Sequence, residues 1–192
     1  MHLKREEIIL AAVKLFERKG YAATSVQDIS NALGFTKAAL YYYVDSKDEI
    51  LWKICDKTMS TAERRMQELM KVEMDPVSRL KQIIINHIRN IQDEIPYMTV
   101  FFSEKSQLPA EKLKVITERE RQYVTMISEV IREGTVQGKF KPIAPLIATY
   151  GILGMCNWIC HWYNSAGCLK PEQIAEIFIS MVLTGLHMEI YE

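Results

Sequence analysis

Cys156, Cys160, His161 and Cys168 are of the types that bind metals or change oxidation state, and a four-residue step sets Cys156 and Cys160 on one helix face. The paired C-x2-C of common zinc sites is missing, and Trp158, Ile159 and Trp162 are interleaved with the thiols. That pattern favours inert cysteines buried in an apolar helix, with a redox or metal sensor using Cys156, Cys160 and Cys168 as the alternative. His87 stands among Ile83, Ile84, Ile88 and Ile91 with no second residue to complete a catalytic pair, so it reads as a core or pocket-edge histidine. The chain has no Gly-rich phosphate loop, no nucleophile elbow and no H-E-x-x-H, and no catalysis, cofactor or resident metal is expected.

Two further sets suit binding rather than bond-breaking. Arg119, Arg121 and Tyr123 place two cations and an aromatic close together, as the phosphates of a bulky anionic ligand would require; a solvated charged face is the competing reading. Phe101, Phe102, Met126, Trp158 and Trp162 are core residues by type, and in a domain that holds an apolar ligand part of such a core lines the cavity.

Apart from both stands "GFTKAALYYYVDSK", Gly34 to Lys47, where three consecutive tyrosines fall inside a short helix. At about 100° per residue, Leu40 and Val44 share one side, Tyr41 and Tyr43 flank that stripe, and Tyr42 lies about 200° away and faces outward. Ala38 and Ala39 share the outward half. Two alanines and a tyrosine suit a helix whose backbone must approach base edges closely, the small side chains making room and the phenol reaching a phosphate. Lys37 and Lys47 stand at either end to neutralise phosphates.

The elements that must present this face follow from caps and periodicity. Ile8, Ile9, Ala12, Val13, Leu15 and Phe16 recur at steps of three and four and form the stripe of a first helix ending at Gly20. Ser25 with Asp28 resembles a capping box opening a second helix, whose inward stripe is Val26, Ile29 and Leu33. Gly34 suits its left-handed end, Phe35 plugs the corner and Thr36 caps the third helix. Two short helices joined by a tight turn make a helix-turn-helix, the second of which enters the major groove of double-stranded DNA.

Beyond Ser46 the pattern is long helices. Asp75-Pro76 reads as N-cap and first-turn proline, Pro96, Pro109, Pro145 and Pro171 open further helices, and Glu133 to Pro142 reads as the one glycine and proline loop. The fold is expected to be all-α, with about nine helices.

Composition bounds the rest. With 192 residues and 48% apolar content the chain can bury one moderately large core or a small domain beside a larger one. Its formal net charge is zero, so a nucleic-acid partner must be met by a local surface. The N-terminus has no secretory pattern, no apolar run is long enough to span a membrane, and four cysteines are too few for a secreted disulfide scaffold, so a cytoplasmic protein is expected.

On these residues the first fifty positions resemble the DNA-binding domain of the TetR family of bacterial regulators, through "AAVKLFERKGYAATSVQDISNALGFTKAALYYYVDSKDEIL". The resemblance implies a homodimer that binds a palindromic operator, usually represses, and releases DNA when a small molecule occupies the C-terminal domain. It implies that Thr24, Ser25, Tyr42, Tyr43 and Lys47 hold phosphates and that Thr36, Lys37, Ala38 and Tyr41 lie near bases or backbone. Tyr43 stands where many members have histidine and Ala39 where many have glycine, so the operator sequence does not carry over. Further on, "VFFSEK", "RQYV", "GKF" and "GILGMCNWICHWYNSAGCLKPEQIAEIFISMVLTGL" are similar to the ligand domain of a subgroup regulating fatty-acid and sterol-ring catabolism, which implies an acyl-CoA thioester as effector.

The expected domains are residues 1–50 for DNA and 51–192 for effector and dimer contacts. In the final stretch, "PEQIAEIFISMVLTGLHMEI", apolar residues occupy nearly every angle, and such a helix needs cover on two sides. Gly151 and Gly154 on the preceding helix would admit a neighbour closely. With Phe178, Met181 and Gly185 they suggest a four-helix interface about a two-fold axis. A ligand-binding helical module without DNA function is the other alternative.

Overall fold

The computed structural model describes residues 2–164 and 167–186. They form α1 (His2–Lys19), α2 (Val26–Ala32), α3 (Lys37–Tyr41), α4 (Lys47–Met70), α5 (Pro76–Asp93) and α6 (Ile95–Glu104), then a 3-10 turn at Lys105–Gln107. After it come α7 (Ala110–Val136), α8 (Pro145–Asn157), α9 (Ile159–Trp162) and α10 (Pro171–Leu186). The fold is all-α, and α9 is a single turn that follows α8 past Trp158.

Two compact units divide the chain. One takes the residues up to Ser60 together with Glu94–Glu118; the other takes Thr61–Asp93 and the described residues from Arg119 onward. Helices α4 and α7 contribute to both.

In the first unit, Ile8, Ala12, Val13 and Phe16 of α1 are buried against Ile29 of α2 and Leu40 of α3. Val44, Ile50, Leu51 and Ile54 extend that core, and Val100 and Phe101 of α6 with Leu108 and Ile116 complete it. Gly20 (φ +81°) and Gly34 (φ +66°) end α1 and α2 in the left-handed backbone that other residues adopt only with strain. The Ser25 capping box forms as expected, with the Asp28 N–H donating to Ser25 Oγ at 3.0 Å and the Ser25 N–H donating to the Asp28 carboxylate at 2.8 Å. The Thr36 hydroxyl accepts from the Ala39 N–H at 3.1 Å and opens α3.

In the second unit α5 packs on α8, α9 and α10. Its buried stripe is Leu80, Ile83, Ile84, Ile88 and Ile91, at helical spacing. Asp75 caps it, its Oδ1 accepting from the Val77 and Ser78 N–H groups at 3.0 and 3.1 Å, and the Ser78 hydroxyl, with the Ser78 and Val77 N–H groups, holds its carboxyl below the usual range. Pro76, Pro145 and Pro171 each take the first helical position.

The loop expected from Glu133 to Pro142 is shorter than the sequence suggests. Helix α7 continues to Val136, and Gly134 sits inside it because the Phe140 ring folds back over that position. A Cβ at Gly134 would lie 2.3 Å from two ring carbons. The apolar run read through to Ile190 is helical to Leu186, and His187 to Ile190 lie outside the described residues. Among the described residues no helix is long and apolar enough to cross a membrane.

Candidate functional site

Helix α3 turns its outer face to solvent as the angular argument requires. Leu40 is buried, Thr36, Lys37, Ala38 and Ala39 are exposed, Tyr42 is 73% exposed and Tyr41 43%, while Tyr43 is half-buried. The Tyr42 and Tyr43 rings meet edge to face at 5.1 Å, which orients both phenols. Lys37 Nζ stands 5.9 Å from the Tyr41 ring centre.

The expected phosphate holders are arranged less uniformly. Thr24 is buried and its hydroxyl donates to the Gly20 carbonyl at 2.8 Å, so the side chain serves the α1–α2 turn. Ser25 is exposed, but its hydroxyl also donates to the Asp28 carboxylate at 2.6 Å; with its N–H it holds the Asp28 carboxyl below the usual range. Lys47 reaches back to donate to the Tyr21 carbonyl at 2.9 Å and the Thr24 carbonyl at 2.8 Å, with Nζ 4.1 Å from the centre of the Tyr21 ring. The Tyr21 hydroxyl donates to the Asp48 carboxylate, and burial, with that partner, pushes the Tyr21 phenol well above its ordinary value. The first turn of α4 thus clasps the turn that precedes α2. Arg5 does the same for the end of α3, its Nε donating to the Tyr43 carbonyl at 2.7 Å.

Neither clasp was visible in the sequence. Arg5 and Tyr43 lie far apart in the chain, and nothing in the composition around Lys47 distinguishes an ammonium that will meet carbonyls from one that will meet phosphates.

The residues expected to bind an effector fall in both units. Phe101 is in the core of the first, its ring 5.4 Å from that of Phe102. In the second, Arg119 forms a bidentate pair with Glu63, Nε to Oε1 at 2.8 Å and Nη2 to Oε2 at 2.7 Å, so it is neither a solvated cation nor an open phosphate clamp. Arg121 is exposed and Met126 is half-buried. Trp158, expected in the core, is 60% exposed; Trp162 is exposed too and, with Cys168, Leu169 and Ile174, lines a pocket of about 300 Å³.

The interior of the second unit carries a polar line that the sequence reading left incomplete. His87 Nδ1 lies 3.1 Å from the Tyr123 hydroxyl and Nε2 lies 2.7 Å from Asn157 Oδ1. His87 and Tyr123 are both buried. Loss of solvent holds the imidazole below its ordinary pKa, partly countered by Asn157, and the same burial pushes the Tyr123 phenol up. At neutral pH the histidine is therefore uncharged.

Burial also pushes the Cys156 thiol up to about 12 and raises that of Cys160, which disfavours the reactive thiolate at both. Among the described residues no three His, Cys, Asp or Glu side chains gather as a metal would need, so the sensor reading built on Cys156, Cys160 and Cys168 finds no support.

A wide apolar face runs over α8 to α10. Ile147, Gly151, Gly154, Trp158 and Trp162 follow one another at steps of three and four, and Ile177, Met181 and Gly185 at steps of four; all are exposed. Phe178 is half-buried beside them. Among the described residues a Cβ on Gly151, Gly154 or Gly185 would meet nothing within 4 Å, so no described neighbour packs against these glycines. Between α8 and α10 the face dips into an apolar groove of about 310 Å³ lined by Gly151, Met155, Met181 and Gly185 among others.

Comparison with known proteins agrees in both halves. The family described as "Bacterial regulatory proteins, tetR family" matches residues 8–53, and that described as "Tetracyclin repressor-like, C-terminal domain" matches residues 73–186. The HTH-type transcriptional repressor KstR2 of Mycobacterium tuberculosis is 23% identical, the match covering 97% of this chain and 94% of the repressor. The crystal structure of the regulator PfmR from Thermus thermophilus is 30% identical with a TM-score of 0.86, over 94% of this chain and 99% of that one. AibR, solved with isovaleryl coenzyme A and operator DNA, is 28% identical with a TM-score of 0.84, over 92% of this chain and 96% of its own.

Proposed function

Because the chain belongs to the TetR family of bacterial transcriptional regulators, we propose that it is a homodimeric, cytoplasmic repressor that binds a palindromic operator and is released from it by an acyl-CoA thioester. Residues 1–50 act on DNA, and residues 51–192 bind the effector and the second subunit. The observation that carries the DNA half is the outward face of α3. Small Ala38 and Ala39, a 73% exposed Tyr42 and a capped entry at Thr36 leave the helix able to lie close to base edges.

Tyr42 and Tyr43 hold phosphates in this reading, Thr36, Lys37, Ala38 and Tyr41 lie against the groove, and Lys47, Thr24 and Ser25 fix the turn that aims them. The second subunit covers Gly151, Gly154, Phe178, Met181 and Gly185, two helices from each chain packing about a two-fold axis.

AibR with isovaleryl coenzyme A, and KstR2 as a ketosteroid regulator, support a CoA thioester with an apolar acyl part. Tyr123 and Met126 meet that part, Arg121 meets the phosphates, and Arg119 would exchange Glu63 for them. Effector occupancy alters the separation of the two recognition helices, so that the dimer no longer matches its half-sites.

The effector claim is tested by titration calorimetry with a panel of CoA thioesters and their free acids. Tight binding of thioesters alone supports it, and equal binding of the free acids removes the arginines from the account.

A further inference from the structure

Helix α3 is five residues long, too short to be stable alone, and it lacks the left-handed glycine that closes α1 and α2. Tyr42, at its end, keeps right-handed backbone angles (φ −66°, ψ −24°). Carbonyls at such an end need donors from elsewhere. The first turns of α1 supply one. Arg5 Nε donates to the Tyr43 carbonyl at 2.7 Å, and both side chains are half-buried. The neighbouring Lys4, which pairs with Glu7 at 3.5 Å, stands 5.2 Å from the centre of the Phe35 ring in the turn before α3. Consecutive residues of α1 thus reach both ends of α3.

We propose that Arg5 is a positioning residue for DNA recognition: by holding the Tyr43 carbonyl it fixes the angle at which α3 presents Lys37, Ala38 and Tyr41 to base edges, without itself touching DNA. This role rests on the reading of α3 as the helix that enters the major groove. Base contacts need their donors and acceptors placed to within about 0.5 Å, whereas phosphate contacts on unrelated DNA carry no sequence information and tolerate a tilted helix. A loosened α3 therefore loses discrimination before it loses affinity for DNA in general.

Two neutral substitutions separate the donor from the charge. In Arg5→Gln the amide nitrogen takes the same place along the side chain as arginine Nε, so the hydrogen bond can re-form; in Arg5→Met a side chain of similar length offers no donor. Both remove one positive charge. Wild type is used to select a preferred duplex from a random-sequence pool, and anisotropy then compares that duplex with a scrambled one for all three proteins across a salt series. Arg5→Gln is expected to keep the wild-type preference within about three-fold and Arg5→Met to lose about ten-fold or more of it, the two variants binding the scrambled duplex equally. Equal loss of preference in both would overturn the role, and a salt slope shallower by about 0.9 would then make Arg5 a phosphate contact. Should Arg5→Met not fold, Arg5→Gln decides alone: a kept preference supports the role and a lost one contradicts it. A pool from which wild type enriches no sequence would sink the DNA-binding reading of α3 together with Arg5, whereas an enriched duplex preferred equally by all three proteins would sink Arg5 alone.

Discussion

Tyr42 owes its importance to position rather than to type. One residue on, Tyr43 is half-buried against the core; at 42 a tyrosine stands in water, with the Tyr43 ring set edge-on to it. Tyr42→Phe removes only the hydroxyl, so it is expected to weaken operator and unrelated duplex alike, by about 2- to 10-fold, the worth of one hydrogen bond. A changed base preference at one operator position, with non-specific binding intact, would assign Tyr42 to reading rather than holding. Lys47 differs because its ammonium already meets two carbonyls. Lys47→Ala should therefore lower folding stability by about 1–3 kcal/mol as well as weaken DNA binding. Lost affinity at an unchanged thermal midpoint would make it a phosphate contact alone. At His87 the folded pKa lies below the unfolded value of about 6.5, so the unfolded chain takes up the proton first. Stability from the neutral ring is present above that pH and is lost as pH falls below it, by at most about 1.4 kcal/mol per pH unit. Denaturant midpoints from pH 7.5 to 5 should show this fall in wild type and a shallower one in His87→Gln.

At the scale of elements, what could be read in the sequence was local. The Ser25 capping box, the Thr36 cap, the stops at Gly20 and Gly34 and the proline starts of α5, α8 and α10 depend on residues within a turn of one another, and each formed as its chemistry required. What could not be read joins distant segments: Arg5 to Tyr43, Lys47 to Tyr21, Arg119 to Glu63 and His87 to Asn157. No spacing rule connects such positions, because the tertiary fold alone brings them together. Gly134 shows the same limit in a loop, where the glycine marks a close approach by Phe140 rather than a turn. Gly134→Ala should be destabilised by about 1–3 kcal/mol in denaturant melts, since α7 would gain propensity but the Phe140 ring must move. A stabilised variant would mean that the ring shifts freely.

For the whole molecule, Trp158 is the instructive residue. Its type says core, and it lies 60% exposed in a row with Ile147, Gly151, Gly154 and Trp162. A monomeric surface seldom carries so continuous an apolar strip, and a second copy would give each of these residues the environment its chemistry prefers. Met181, 59% exposed on the same face, gives the probe. Met181→Glu should leave the chain folded but monomeric in sedimentation equilibrium, with operator binding lost; a dimer that tolerates the charge would place the interface elsewhere.

Whether the protein is a sequence-specific and ligand-responsive DNA-binding regulator is decided by fluorescence anisotropy on the DNA upstream of its own gene against a scrambled duplex of equal length, with and without a CoA thioester. At physiological salt at least about a thousand-fold preference for the upstream fragment is expected, with two chains per site and loss of that preference when the thioester is added. Equal affinity for both duplexes, unmoved by the thioester, would contradict it.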